Sequence, residues 1–252
     1  MADELWKLKP LGNGSAFNKT AKQTSWYMIQ GKSMYIFDMP YSNLQFFLSA
    51  AGKKLIANVD TFVIFITHMH EDHVGGLVNF SFLNKYQMKK EIKTFVPTRL
   101  SMQIYNYVML VGGQPEDSGL LMGDYYQDDN VQVFPRQVAH VPEIPCFGYA
   151  VYGNIMSGSN KFIDTSGNNW GIFYSGDNKN FMDEIMVESF LADWERKMVY
   201  HDVSFNVSSD VHCYYQKITK VLKAEQRAHV VPIHLESESA YTRLKKAGFT
   251  ME

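Results

Sequence analysis

Asp60-Thr61-Phe62-Val63-Ile64-Phe65-Ile66-Thr67-His68-Met69-His70-Glu71-Asp72-His73 is an apolar, β-branched run that ends in four metal-capable side chains. Such a run reads as a fully buried strand, which puts the H-x-H-x-D-H cluster at that strand's carboxyl edge. Strand edges of this kind are where α/β proteins place their ligand-rich loops. In the loop, His68 and His70 can face one ion while Asp72 and His73 face a neighbouring one. Imidazole and carboxylate ligands with no thiolate nearby suit Zn, Mn or Fe rather than a structural zinc knot.

The rest of the chain frames that cluster. Its 252 residues suffice for one large domain over 1–252 with a sizeable core. A hydrophobic content of 46% with 20% charged residues is that of an ordinary soluble globular protein. The net charge of −2 leaves no basic footprint, so a long nucleic acid is not the expected partner. Met1 to Lys7 is charged and lacks an apolar core, and no run approaches the ~20 residues of a membrane span. A cytoplasmic protein without membrane contact is expected. Cys146 and Cys213 lie far apart and read as two reduced thiols.

Outward from the cluster, short strands alternate with turns and helices. Residues 26–30 and 33–38 form a hairpin turning at Gly31-Lys32, and a helix follows Ser42. Gly75-Gly76 opens the next segment and lets a helix start approach the metal loop. Residues 93–97 are a strand, and Thr98 caps a helix running to Leu110. Val131-Gln132-Val133-Phe134 begins a strand region that ends near His140. Phe162-Ile163 and 170–174 pair as hairpin strands, 198–202 is a strand and 211–226 a helix. Residues 229–234 are the last strand, and a closing helix over 238–247 stops at Gly248. This order predicts two mixed sheets packed face to face with helices outside, an αββα sandwich.

Three more ligand-type residues end strands as the cluster does. His140 follows Val138-Ala139, Asp177 follows Ile172-Phe173-Tyr174 through Ser175-Gly176, and His234 follows Val230-Val231-Pro232-Ile233. Asp177 is the natural bridge, since each carboxylate oxygen can serve one ion. With the cluster they give seven ligands for two ions ~3.5–4 Å apart, a site that activates water at neutral pH and stabilises charge on a phosphoryl or acyl centre.

The set His68, His70, Asp72, His73, His140, Asp177 and His234 resembles that of the metallo-β-lactamase fold superfamily. Asp38, closing Tyr35-Ile36-Phe37, falls where the superfamily has an early Asp, although Met39-Pro40 replaces the usual small pair after it. Leu11-Gly12-Asn13-Gly14-Ser15 and Thr24-Ser25 are similar to the opening of the ribonuclease Z-like phosphodiesterase branch. His201-Asp202-Val203-Ser204-Phe205 resembles that branch's His-Glu-Ala-Thr segment, and Val211-His212-Cys213 its later His-Ser-Thr. The resemblance implies that Asp202 orients His212 and that His212 is the general acid, a role imidazolium suits at neutral pH. Asp72 then serves as both ligand and catalytic residue.

Two departures move the substrate. Asp177 follows His140 by only 37 positions, without the long Gly/Pro-rich arm with which tRNA-processing members grip tRNA. A basic patch is also missing. Both favour a small phosphodiester, and a short member of this kind looks similar to the anti-Pycsar proteins of phages and bacteria. That resemblance implies a homodimeric phosphodiesterase with two divalent ions, Zn2+ or else Mn2+. It would hydrolyse 3′,5′-cyclic nucleotides, cyclic CMP and cyclic UMP first and cyclic AMP and cyclic GMP as further candidates, to 5′-monophosphates, and so counter a host defence signal. The alternatives are a ribonuclease Z-like endonuclease, an acyl hydrolase using the same metals, and a non-catalytic protein that sequesters the nucleotide. Among the remaining polar residues, His201 reads as structural or as support for a ligand and His229 as structural. Glu71 points away to solvent or to a partner behind the ligands, and Gly12 and Gly14 make a tight strand turn rather than a phosphate cradle.

Overall fold

In a computed structural model, residues 6–153, 170–181 and 196–251 are described. The chain divides into two compact units, Met1–Asp124 and Tyr125–Glu252. Among the described residues each unit carries one six-stranded mixed sheet.

In the first unit the strands run in chain order: β1 (Lys9–Gly12), β2 (Ser25–Gln30), β3 (Ser33–Phe37), β4 (Thr61–Phe65), β5 (Glu91–Pro97) and β6 (Leu120–Gly123). β1 to β3 are antiparallel, and β3 to β6 are parallel. The expected hairpin forms, with Gln30 opposite Ser33 and Gly31 supplying the positive φ of the turn. β4 lies between two parallel neighbours, so its Phe62-Val63-Ile64-Phe65 run is buried throughout, as a strand covered on both faces must be. Phe62 packs edge-on with Phe47 and Phe80 from the helices Leu44–Leu48 and Leu77–Leu83.

The second unit also lays its six strands across the sheet in sequence order. These are β7 (Tyr126–Gln127), β8 (Val131–Val138), β9 (Cys146–Gly153), β10 (Trp170–Tyr174), β11 (Arg196–Asp202) and β12 (Val230–Ile233). β7 to β10 are antiparallel, whereas β10, β11 and β12 are parallel. Phe173, Val199 and Val230 pack with Ile218 and Leu244 from the helices Tyr215–Val221 and Glu238–Lys246, and with Leu222 just past the first of them. Ser237 caps the last helix by accepting from Ala240 N, and Gly248 ends it at φ +86. The αββα class expected from the sequence is therefore present as two mixed sheets flanked by helices. Among the described residues no helix is long and apolar enough to cross a membrane.

Several local expectations need correction. The helix ending at Leu110 begins at Ser101 after a 3-10 turn over Thr98–Leu100, and Thr98 caps nothing: its hydroxyl bonds Asp124 Oδ1 at 3.0 Å. Residues 211–226 are not one helix. Ser204 N bonds Cys213 O and Tyr215 N bonds Ser204 O, which holds 211–214 outside the helical path until Tyr215. A second short helix, Ala224–Arg227, follows after an extended Leu222. β9 was not anticipated, and the strand expected at Phe162-Ile163 lies outside the described residues. Cys146 and Cys213 are buried free thiols, as expected.

Gly75 stands against Glu71 of the metal loop, as expected, whereas Gly76 approaches a different neighbour. Gly76 N donates to Met39 O, and Met39 N donates to His73 O, so the helix start rests on the Met39-Pro40 backbone. A Cβ on Gly76 would stand 2.6 Å from Pro40 O. Backbone cannot move aside as a flexible side-chain tip can, so Gly76→Ala should cost about 1–3 kcal/mol of stability, read as a lower urea midpoint.

Candidate metal centre

Each unit presents its own donor set at the carboxyl ends of its strands. In the first, Asp38 follows β3 in the left-handed region (φ 64) and is fully buried. Its Oδ1 accepts from Thr67 N at 2.8 Å and from Thr67 Oγ1 at 2.9 Å, and its Oδ2 takes His73 Nδ1 at 2.8 Å. With Nδ1 so held, His73 turns Nε2 toward Asp72 Oδ2, 3.7 Å away. His68 lies with Nδ1 3.0 Å from Thr67 Oγ1 and Nε2 2.9 Å from His70 Nδ1. The rings of His70 and His73 stand 4.6 and 4.2 Å from the His68 ring. The expected quartet His68, His70, Asp72 and His73 is thus gathered in one place, while Glu71 is exposed as expected.

In the second unit Asp177 is buried in the turn after β10, where Gly176 takes φ 56. Its two oxygens face two imidazoles: Oδ2 stands 3.6 Å from His140 Nε2 and Oδ1 3.6 Å from His234 Nε2. His140 donates Nδ1–H to Val211 O at 2.8 Å, which fixes the tautomer and leaves Nε2 for a ligand. His234 closes β12 with φ 61. A non-glycine residue held in that region is strained, and such strain persists only where the surroundings impose it.

Asp202, buried at the end of β11, joins this set to His212. Its Oδ2 lies 2.8 Å from His212 Nδ1 and also accepts Asn178 N, in the Asp177 turn, at 3.1 Å. Its own N–H donates to Ser175 Oγ at 2.9 Å. The His212 ring stacks on His234 with centroids 4.7 Å apart, and Nδ1 stands 4.0 Å from Asp177 Oδ2. Ligand atoms of Asp177, His212 and His234 lie within 4.8 Å of one another. His201 is fully buried, bonds Asp202 O through Nδ1 and supports the strand end, while His229 bonds Lys197 O.

The electrostatics follow from burial and these pairs. Burial lowers the His140 pKa, which keeps the ring neutral as a ligand must be. Burial raises the Asp38 carboxyl, against the lowering by His73 and Thr67. For His212 burial pulls downward, but the hydrogen bond and charge of Asp202, then the charges of Asp177 and Glu236, outweigh it and raise the pKa to about 9. His212 is therefore a protonated acid at neutral pH in the metal-free chain.

Both donor sets fit divalent cations. All donors are imidazole nitrogen or carboxylate oxygen, they converge within each unit, and hydrogen bonds fix their far sides. The sequence did not reveal the anchoring work of Thr67, Ser175 and the Asn178 N–H. A hydroxyl beside each ligand loop was the available signal for the first two; a backbone N–H leaves none.

Fold and donor chemistry define the class: a metallo-β-lactamase-fold protein with a His/Asp set for divalent metal. Solved structures of that fold align along most of the chain. One is the metallo-β-lactamase fold protein YhfI from Bacillus subtilis, at 13% identity and TM-score 0.65 over 97% of this chain and 94% of that one. Another is human tRNase Z, short form, at 17% identity and TM-score 0.61 over 92% and 93%. The family model for Anti-Pycsar protein Apyc1 matches residues 6–251, and the chain belongs to that family. A curated Anti-Pycsar protein Apyc1 from Bacillus phage BSP38 is 23% identical over 199 residues, 75% of each chain. A second, from Paenibacillus xerothermodurans, is 39% identical over 64 residues, 25% of this chain and 26% of that protein.

Two measurements test these assignments. Asp38→Ala frees His73 and should weaken metal binding about 10–100-fold in chelator competition. In the metal-free chain, NMR should find His212 titrating near 9. Asp202→Asn should drop that midpoint toward or below the ordinary imidazole value, because burial then acts without the carboxylate charge.

Proposed function

We propose that residues 1–252 act as one catalytic domain, a metal-dependent phosphodiesterase that hydrolyses 3′,5′-cyclic nucleotides to 5′-monophosphates. Cyclic CMP and cyclic UMP are its first substrates, and the reaction removes a host antiviral signal. The observation that carries this reading is the His212–Asp202 pair. A buried carboxylate holds a protonated imidazole beside a metal-type donor set, the arrangement an alkoxide leaving group needs. Membership of the Anti-Pycsar Apyc1 family supports the substrate class.

In this reading His68, His70, Asp72, His73, His140, Asp177 and His234 hold two divalent cations, with Zn2+ the expected metal and Mn2+ its substitute. Bound metal supplies water activation and neutralises phosphoryl charge. The chain's own residues do the rest. Asp177 presents one oxygen toward His140 and the other toward His234, and Asp72 presents its carboxylate beside His73. Asp202 keeps the His212 Nδ1 proton, so the Nε2 proton is the one that passes to the departing 3′ oxygen. The active species is expected to be a homodimer, which sedimentation would read.

The test is a substrate panel on chelated and metal-loaded protein: cyclic mononucleotides, cyclic dinucleotides and precursor tRNA, with products identified by chromatography. A 5′-monophosphate should form only with metal present, and the double variant His70→Ala/Asp72→Asn should lose at least about a thousandfold in turnover. Cleavage of precursor tRNA in preference to cyclic nucleotides, or stoichiometric nucleotide binding without product, would sink the proposal.

A further inference from the structure

The residue carrying the proposed acid sits on a loop, and the loop is fastened at one point. Ser204 N donates to Cys213 O at 2.8 Å and Tyr215 N donates back to Ser204 O at 3.0 Å. This isolated bridge closes residues 205–213 into a loop with His212 on its returning side. Inside the loop Asn206 Oδ1 accepts from Ser208, and His212 N donates to Ser209 Oγ at 3.0 Å. Asn206 N donates to the Ser204 hydroxyl at 2.9 Å. With that bond accepted, the hydroxyl gives its single proton to Glu236 Oε1.

Glu236 follows His234 by two residues, and the His234 ring is the one stacked on His212. The Ser204–Glu236 bond therefore ties the loop that bears His212 to the strand end that bears the ring beneath it. Ser204 is buried but Glu236 is exposed, so the core does not demand a carboxylate there. An exposed acid that accepts from a buried hydroxyl at a loop's closing point has a positional use rather than a packing one.

We propose that Glu236 is a positioning residue for His212, acting through the Ser204 hydroxyl; this rests on the reading of His212 as the general acid. Asp202 holds His212 at Nδ1, which still leaves the ring free to swing with its loop. Fastening the loop fixes where Nε2 points, and a proton donor displaced by about 1 Å forfeits about a hundredfold in rate.

The test uses Glu236→Ala, Glu236→Gln and Ser204→Ala in the full chain. On cyclic CMP the Ala variants should lose about tenfold to a hundredfold in kcat, with KM changed by less than about twofold. On bis(p-nitrophenyl) phosphate, whose leaving group departs without a proton, their rates should stay within about twofold of the parent. Glu236→Gln keeps an acceptor oxygen and should recover most of the loss. In the metal-free chain, the His212 Nδ1–H signal should persist in the parent and Glu236→Gln and vanish by exchange in the Ala variants. Equal losses on both substrates would mean damage to the metal set and overturn the proposal, as would an unchanged signal in the Ala variants. If the parent turns over no cyclic nucleotide, the functional reading fails on its own, and the Nδ1–H signal alone decides for or against the positioning role.

Discussion

A carboxylate with no water around it is unstable unless other groups satisfy it, and two such carboxylates organise the donor sets of this chain. Asp38 and Asp202 each end a strand that runs parallel to its neighbour, β3 beside β4 and β11 beside β10. Each is fully buried. Each accepts a backbone N–H from the loop after the neighbouring strand, Thr67 in one unit and Asn178 in the other. Each also takes Nδ1 of a histidine, His73 or His212. The desolvation that makes a buried carboxylate costly makes its bonds hard to break. Removing one partner of such a pair costs about 3–5 kcal/mol because the other is left buried and unpaired. Loop geometry is thereby fixed by charge as well as by packing.

The parallel design follows from topology. Side chains at the carboxyl ends of adjacent parallel strands all emerge at one edge, so a residue just past one strand can reach the loop of the next. Asp38 with Thr67, and Asp177 with Asp202, His234 and Ser175, are such sets. The positive φ at Asp38 and His234 is the local cost: both backbones bend sharply as the strand ends, which turns the side chain back over the edge.

This regularity explains which residues could be read from sequence. The His68–His73 cluster is local, and it follows a run too apolar for an exposed strand, so both strand and loop were legible. His140, Asp177 and His234 were legible because each is a lone ligand type after a strand-like run. β9 was not. Its glycines look like turn residues, yet a Cβ on Gly148 would stand 2.8 Å from Tyr174 O and one on Gly153 1.9 Å from the Trp170 ring. They are there for close approach to β10, a tertiary demand that composition does not display. Residues 211–214 failed for a related reason, since helical propensity lost to backbone bonds with Ser204, seven positions before 211. Asp38 was visible only as a family likeness, because its partners Thr67 and His73 are 29 and 35 positions away.

His212 shows why burial and charge have to be weighed together. Burial alone would make this ring a weak base and leave no proton to give. Asp202, hydrogen-bonded to Nδ1 and backed by Asp177, reverses that and carries the pKa to about 9 without metal. Divalent cations on the adjacent Asp177 and His234 would act in the other direction, since positive charge nearby disfavours the imidazolium. The two influences oppose, and an acid most effective near neutral pH needs both. In the proposed reaction too high a pKa would hold the proton too firmly, and without the carboxylate the proton would be gone before the leaving group forms. Asp202 is thus the residue on which His212 depends for orientation and for its proton, and its bond to the Asn178 N–H makes the Asp177 turn depend on it as well.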